Sequence, residues 1–113
     1  MNIINRSQIT LYGTEALLDW IKSVKPNLHR WSLKELNHRP SAYLIDEEDQ
    51  NCHELILESR FKEIVENELL NLYIDRELWP QNIDYELFLK WYTYQYHEEI
   101  YDFSSKNIEV FDE

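Results

Sequence analysis

The sequence is poor in the residues that build several common functional motifs. Its 113 residues include one glycine, Gly13, and one cysteine, Cys52. A single glycine cannot form a P-loop, a dinucleotide-binding loop or a hydrolase nucleophile elbow, since each needs at least two. A single cysteine cannot form an internal disulfide, which favours a reducing compartment. No stretch is apolar enough for a signal peptide or a membrane span. We therefore expect a cytoplasmic protein without a cofactor.

Positive charge is also scarce, because 11 basic residues face 22 acidic ones and the net charge is −11. Residues 1–45 carry six basic and three acidic side chains, whereas residues 46–113 carry five and 19. Such a surface repels phosphate, so we expect no direct nucleic-acid binding and no membrane binding. It would attract a basic protein partner, or it merely keeps the domain soluble.

The apolar pattern predicts a single α+β domain over residues 1–113, dominated by helices. Thr14 is placed to cap the first helix, Ser32 to Glu35 form a capping box, and Asp84 is placed to cap the last helix. The predicted order is β-α-α-β-α-α, with a two- or three-stranded sheet whose strand direction stays open. The predicted strands are 7–12 and 42–45, with 108–111 as a candidate third strand. The longest predicted helix is 50–73. A loop with one helical turn follows it over residues 74–83.

Residues 84–103 hold aromatic side chains at almost every turn, and we predict one long helix there. Two apolar arcs arise at 100° per residue. One arc holds Tyr85, Leu89, Tyr92, Tyr96, Ile100 and Phe103, and the other holds Leu87, Trp91, Tyr94 and Tyr101. A helix that is apolar on two sides is packed on two sides. Either both arcs pack within one monomer, or one arc is a surface for a partner, most simply in a homodimer. The candidate interaction residues are Trp79, Trp91, Tyr94, His97 and Tyr101.

Glu68 is the residue that departs most from the predicted pattern, because it lies inside the apolar stripe of the preceding helix. A carboxylate at such a position needs a partner or takes up a proton. We expect a structural hydrogen bond from His97, Arg39 or a tyrosine hydroxyl. The alternative is an acid–base pair of Glu68 with His97 in a pocket beside Trp79 and Trp91.

The segment "YHEEIYD", residues 96–102, resembles a zinc-binding helix but lacks its second histidine. That ligand would stand four residues after His97, where the chain has Tyr101. Cys52 and His53 have no second cysteine pair, so a structural zinc site is not supported. We predict no metal site and no catalytic residue.

The stretches "AYLIDEED", "FKEIVENEL" and "ELWPQN...ELFLKWYTYQYHEEIYDF" resemble a family of small acidic bacterial proteins. The likeness covers residues 40–103 and depends on the Leu-Trp-Pro loop at 78–80 and on the aromatic pattern over 88–102. That family has no assigned function, so the resemblance implies a bacterial origin and a shared fold without an activity.

These observations favour a non-enzymatic protein-interaction domain, homodimeric through its last helix. Two alternatives remain at this stage. One is a small ligand-binding protein or enzyme that uses Glu68 and His97. The other is an acidic inhibitor that mimics nucleic acid.

Overall fold

The computed structural model describes residues 1–46 and 52–112 and confirms an α+β fold. Within these residues, two antiparallel sheets accompany four α-helices and two short 3-10 helices at Pro26–Leu28 and Arg76–Leu78. The strands are β1 (Asn2–Ile4), β2 (Arg6–Gly13), β3 (Ser41–Asp46), β4 (Tyr92–His97) and β5 (Ile100–Asp102); the α-helices are α1 (Glu15–Val24), α2 (Leu33–Leu36), α3 (Cys52–Asn71) and α4 (Tyr85–Trp91).

The larger sheet has the order β3-β2-β4, and both pairings are antiparallel. Along β2, Ile9 and Leu11 are buried, whereas the alternating residues Gln8 and Thr10 are only partly covered. Since successive strand side chains point to opposite faces, Ile9 and Leu11 define the inner face of the sheet. Helices α1, α3 and α4 each contribute buried side chains to one apolar core on this face. The core residues are Ile9, Leu11, Leu17, Ile21, Leu57, Ile64, Val65, Leu69, Ile74, Phe88, Trp91 and Tyr92.

The two-stranded sheet of β1 and β5 continues the β2–β4 pairing beyond the core. Ile4 pairs with Ile100, and Gln8 pairs with His97. Three residues therefore lie between the paired positions on the β1–β2 side, but only two lie between them on the β4–β5 side. One extra residue on one strand is the arrangement of a β-bulge, which bends the strand and increases its twist. At this point the Ser7 hydroxyl donates to the carbonyl oxygen of Glu98 at 3.1 Å. The bulge thus separates a short β-ribbon from the main sheet.

The prediction of a helix over residues 84–103 is wrong beyond residue 91. Helix α4 ends at Trp91, and Tyr92 already has extended backbone angles, with φ −132° and ψ 144°. The sequence "YTYQYH" alternates aromatic and polar side chains, and tyrosine and threonine favour strands over helices. Pairing with β2 places Tyr92, Tyr94 and Tyr96 opposite Gly13, Leu11 and Ile9 on the inner face. A strand therefore places all three rings on one face, with Tyr92 buried and Tyr94 and Tyr96 partly buried, which a helix cannot do.

Thr14 lies at the N-cap position of α1 but does not cap that helix with its side chain. Its hydroxyl instead donates to the carbonyl oxygen of Lys90 at 2.6 Å, and its backbone N–H donates to the carbonyl oxygen of Trp91 at 2.8 Å. Carbonyls in the last turn of a helix lack partners within that helix. Thr14 thus stabilises the end of α4 where the chain turns into β4.

Other local predictions are confirmed. Ser32 and Glu35 form the capping box, and Asp84 accepts a hydrogen bond from the backbone of Leu87 at 2.8 Å. Helix 50–73 is found as α3, with residues 50 and 51 outside the described ranges. The candidate strand over 108–111 is not formed, because that segment pairs with none of the described strands.

Helix α3 ends in a Schellman motif without glycine. The N–H of Ile74 donates to the carbonyl oxygen of Leu69 at 3.1 Å, and the N–H of Tyr73 donates to that of Leu70 at 3.0 Å. Tyr73 has φ 57° and is the only described non-glycine residue with positive φ. This motif usually places glycine there, because a β-carbon disfavours the left-handed conformation. The end of α3 therefore carries local backbone strain.

Candidate functional site

The Glu68 carboxylate is held on the inner side of the sheet by two hydroxyl groups. Its Oε2 atom accepts hydrogen bonds from Ser41 Oγ at 2.7 Å and from Tyr43 OH at 2.6 Å. Asn67 Nδ2 donates to the same tyrosine hydroxyl at 3.0 Å. Burial is the largest cause that raises the pKa of Tyr43, and the carboxylate of Glu68 adds to it. Tyr43 therefore remains a hydrogen-bond donor, and of the predicted partners for Glu68 the tyrosine hydroxyl is the correct one.

Tyr92 places a second phenol near the same carboxylate. Its side chain is 4% exposed, and its hydroxyl has no hydrogen-bond partner among the described residues. Burial raises the pKa of Tyr92 well above its usual value, and the negative charge of Glu68 raises it further. An unsatisfied buried hydroxyl costs about 1–3 kcal/mol, so such groups are rare away from sites that bind water or ligand.

Glu68 and Tyr92 line one cleft of about 380 Å³. Leu17, Leu36 and Leu72 form its apolar walls, and Trp31 also lines it. Ligand pockets commonly have volumes of about 300–1,000 Å³ with few polar groups among apolar walls. We call this the Glu68 cleft. Its other lining residues are Gly13, Glu35, His38, Arg39, Ser41 and Asn71.

His97 does not approach Glu68. Its Nε2 atom lies 3.1 Å from Thr10 Oγ1, and the residue pairs with Gln8, on the outer face of the sheet. Glu68 contacts side chains of the inner face, so the sheet separates the two residues. A pocket shared by Glu68 and His97, which the acid–base alternative requires, is therefore not present.

The aromatic candidates for an interaction surface are placed differently from one another. Trp91 is buried against Trp20, with ring centroids 4.8 Å apart. The Trp79 indole N–H donates to the carbonyl oxygen of Ile74 at 3.0 Å. Tyr94 is partly buried on the inner face, where its ring contacts His53 edge-on at 5.9 Å. Trp91, Trp79 and Tyr94 thus stabilise the fold.

Tyr101, by contrast, is 51% exposed on the ribbon. It belongs to a group of exposed apolar side chains at the two ends of the chain. We call residues 1–4 and 100–112 the terminal arm. Its large exposed apolar side chains are Met1, Ile3, Tyr101, Phe103, Ile108, Val110 and Phe111. The last four are 68–86% exposed.

Two further observations concern the described residues as a set. None of their histidine, cysteine, aspartate and glutamate side chains form a group of three or more placed to hold a metal ion. No helix in the described ranges is long and apolar enough to cross a membrane.

His53 Nδ1 is buried without a partner among the described residues. The His53 ring stacks on Tyr96, with centroids 4.1 Å apart, and does not line the Glu68 cleft.

Sequence reasoning did not identify Ser41, Tyr43, Tyr92 or Trp31 as site residues. Tyr92, Tyr94 and Tyr96 carry the signal that was missed, since spacing by two places them on one strand face. No comparable signal marks Trp31, because its position at the cleft depends on how the loop between α1 and α2 packs.

No protein-family model matches the chain, and no curated protein or solved structure matches it significantly. The resemblance to small acidic bacterial proteins therefore stays a prediction.

Proposed function

We propose that this protein is a non-enzymatic interaction domain that forms a homodimer through the terminal arm. The observation that carries the proposal is the exposure of seven large apolar side chains on 17 arm residues, with Phe103, Val110 and Phe111 more than 80% exposed. Exposed apolar surface of this extent commonly marks an interaction site.

The size of the exposed surface fits a contact between two copies. Seven such side chains expose on the order of 800 Å² of apolar surface, close to the share of one partner in a standard interface. Two copies with a net charge of −11 repel each other. The arm holds three acids and one base among its residues, so it is less acidic than residues 46–99 and suits self-association.

The ribbon geometry also supports a symmetric contact. Strand β5 pairs with β1 on one side only, and its other edge is unpaired among the described strands. An unpaired edge is a template for another strand. Antiparallel pairing of two β5 edges about a two-fold axis would cover Tyr101 of both copies.

Sedimentation velocity over about 1–300 µM tests the proposal, since weak dimers dissociate in this range. The wild type should change from monomer to dimer with concentration. The triple variant Phe103→Ser, Val110→Ser, Phe111→Ser should stay monomeric with an unchanged circular dichroism spectrum.

The matched control is Leu55→Ser with Leu89→Ser, which removes apolar groups that are 67% and 50% exposed on α3 and α4. This control should dimerise like the wild type. A wild type that is monomeric throughout the range, or a triple variant that dimerises equally well, would contradict the proposal.

A further inference from the structure

We propose that the Glu68 cleft binds a primary alkylammonium group, carried by a small amine or by a lysine side chain of a partner. The inference is separate from dimerisation, because the cleft and the terminal arm share no residue.

The charge of the Glu68 carboxylate is not paired in the described part of the chain, since no lysine, arginine or histidine lies within ion-pair distance. His38 and Arg39 line the same cleft, but both are exposed and lie beyond that distance. The two hydrogen bonds to Glu68 come from neutral hydroxyls, which orient the carboxylate without cancelling its charge. Both bonds go to Oε2, and Oε1 accepts none from the described residues. A partly buried carboxylate with one free oxygen is best complemented by a cation that donates N–H groups.

Tyr92 lines the same cleft, and its hydroxyl is buried behind the cleft surface. The charge of Glu68 acts on this hydroxyl, which lacks a partner among the described residues. An ammonium group has three N–H donors. One donor would bind the Glu68 carboxylate, and a small shift of the Tyr92 ring would let another bind the phenol oxygen, which would give the hydroxyl its missing partner. A carboxylate or phosphate ligand would instead be repelled by Glu68.

The walls of the cleft suit the alkyl chain of such a ligand. Leu17, Leu36 and Leu72 offer apolar surface, and Trp31 adds an aromatic side chain to the lining. Aromatic faces attract cations as well as alkyl groups. Glu35 also lines the cleft, but it is exposed, so water screens its charge, whereas Glu68 is partly buried. Glu68 therefore offers the less screened carboxylate to a ligand.

Titration of the ¹⁵N-labelled protein with n-butylammonium chloride, read at the Trp31 indole N–H, tests the proposal. The signal is assigned by comparison with Trp31→Phe. We expect saturable binding with a Kd on the order of 1 mM, since one charged contact and one short alkyl chain give only weak affinity. The neutral isostere n-butanol, sodium butyrate and sodium chloride at equal ionic strength should not give this saturation. Nα-acetyl-lysinamide is titrated in parallel: tighter binding than n-butylammonium assigns the group to a partner's lysine, and weaker binding assigns it to a free amine.

Three variants make the test specific. Glu68→Gln keeps the shape and hydrogen-bonding oxygen but removes the charge, and it should weaken binding about tenfold or more. Tyr92→Phe removes only the unpartnered hydroxyl and should weaken binding severalfold while the protein stays folded. Glu58→Gln makes the same charge change at an exposed position of α3 and should leave binding unchanged. Absence of saturation with both amines, or equal binding by wild type and Glu68→Gln, would overturn the proposal.

Discussion

Replacement of Tyr73 by glycine should stabilise the protein, because Tyr73 has the left-handed conformation at the end of α3. A β-carbon costs roughly 1–2 kcal/mol in that conformation. Glycine regains that energy but loses about 0.5–1 kcal/mol through the greater freedom of the unfolded chain. The ring of Tyr73 is 86% exposed, so its removal gives up little packing. The net gain in the free energy of unfolding should be about 0.5–1 kcal/mol.

Urea unfolding followed by tryptophan fluorescence measures this gain. The midpoint should rise by roughly 0.3–0.7 M with an unchanged slope, given a typical slope for a domain of this size. Leu70→Gly is the matched control, since it places glycine in the last turns of the same helix at a half-exposed position. It should lower stability by about 0.5–1 kcal/mol. If Tyr73→Gly is no more stable than the wild type, the Schellman motif at Ile74 does not carry the strain inferred here.

Three other perturbations test separate parts of the fold. Gly13→Ala should lower the Tm in a thermal scan, because the new β-carbon would lie 2.6 Å from Leu36 Cδ2. The expected cost in stability is about 1–3 kcal/mol. An unchanged Tm would show that Leu36 moves away freely. Asp84→Ala should cost about 1 kcal/mol in urea by removing the bond to the Leu87 N–H, whereas Asp84→Asn should cost less. Stability should fall as the pH rises above about 10, the ordinary pKa of a tyrosine. In the unfolded chain the Tyr43 phenol ionises at this pH, whereas its raised pKa keeps it protonated in the folded protein. Tyr43→Phe should reduce this alkaline slope, and an equal slope in both proteins would contradict the reasoning.

The predictions that succeeded depend on local chemistry. A serine three residues before a glutamate, or an aspartate just before an apolar run, satisfies backbone N–H groups within one turn of the chain. The Ser32 and Asp84 caps need no tertiary contact, so the sequence alone identifies them. The buried residues Leu57, Ile64, Val65 and Leu69 of α3 recur at helical spacing, and this spacing can be identified in the sequence.

The prediction that failed depends on a spacing that helices and strands share. Residues four apart lie on one face of a helix and also on one face of a strand. Tyr92 and Tyr96 therefore do not distinguish the two structures. Tyr94 does, because a spacing of two places it opposite in a helix and beside them in a strand. In the helical prediction Tyr94 lay on a second arc, so the helix had to pack on both sides. In the strand, Tyr92, Tyr94 and Tyr96 share one inward face.

The partner of Glu68 was predictable only as a type of group. A carboxylate in an apolar stripe requires a donor, but the choice among histidine, arginine and tyrosine depends on how β3 packs against α3. That packing is set by contacts distant in sequence. The sequence offered Arg39 and His97 equally as partners. In the structure Arg39 lines the cleft without an ion pair to Glu68, and His97 lies on the outer face of the sheet.

The inner face of the sheet explains why a carboxylate is present among apolar side chains at all. Tyrosines replace aliphatic residues there, and each brings a hydroxyl into the layer between helices and sheet. Tyr43 donates to Glu68, and Tyr96 donates to Ser7 Oγ at 3.3 Å. Tyr92 is the most buried of these tyrosines, and its hydroxyl has no such partner among the described residues. If its hydroxyl had no function, phenylalanine would fill the same space without the cost of an unsatisfied group. Its presence beside an oriented carboxylate is therefore better explained by a ligand that both groups bind.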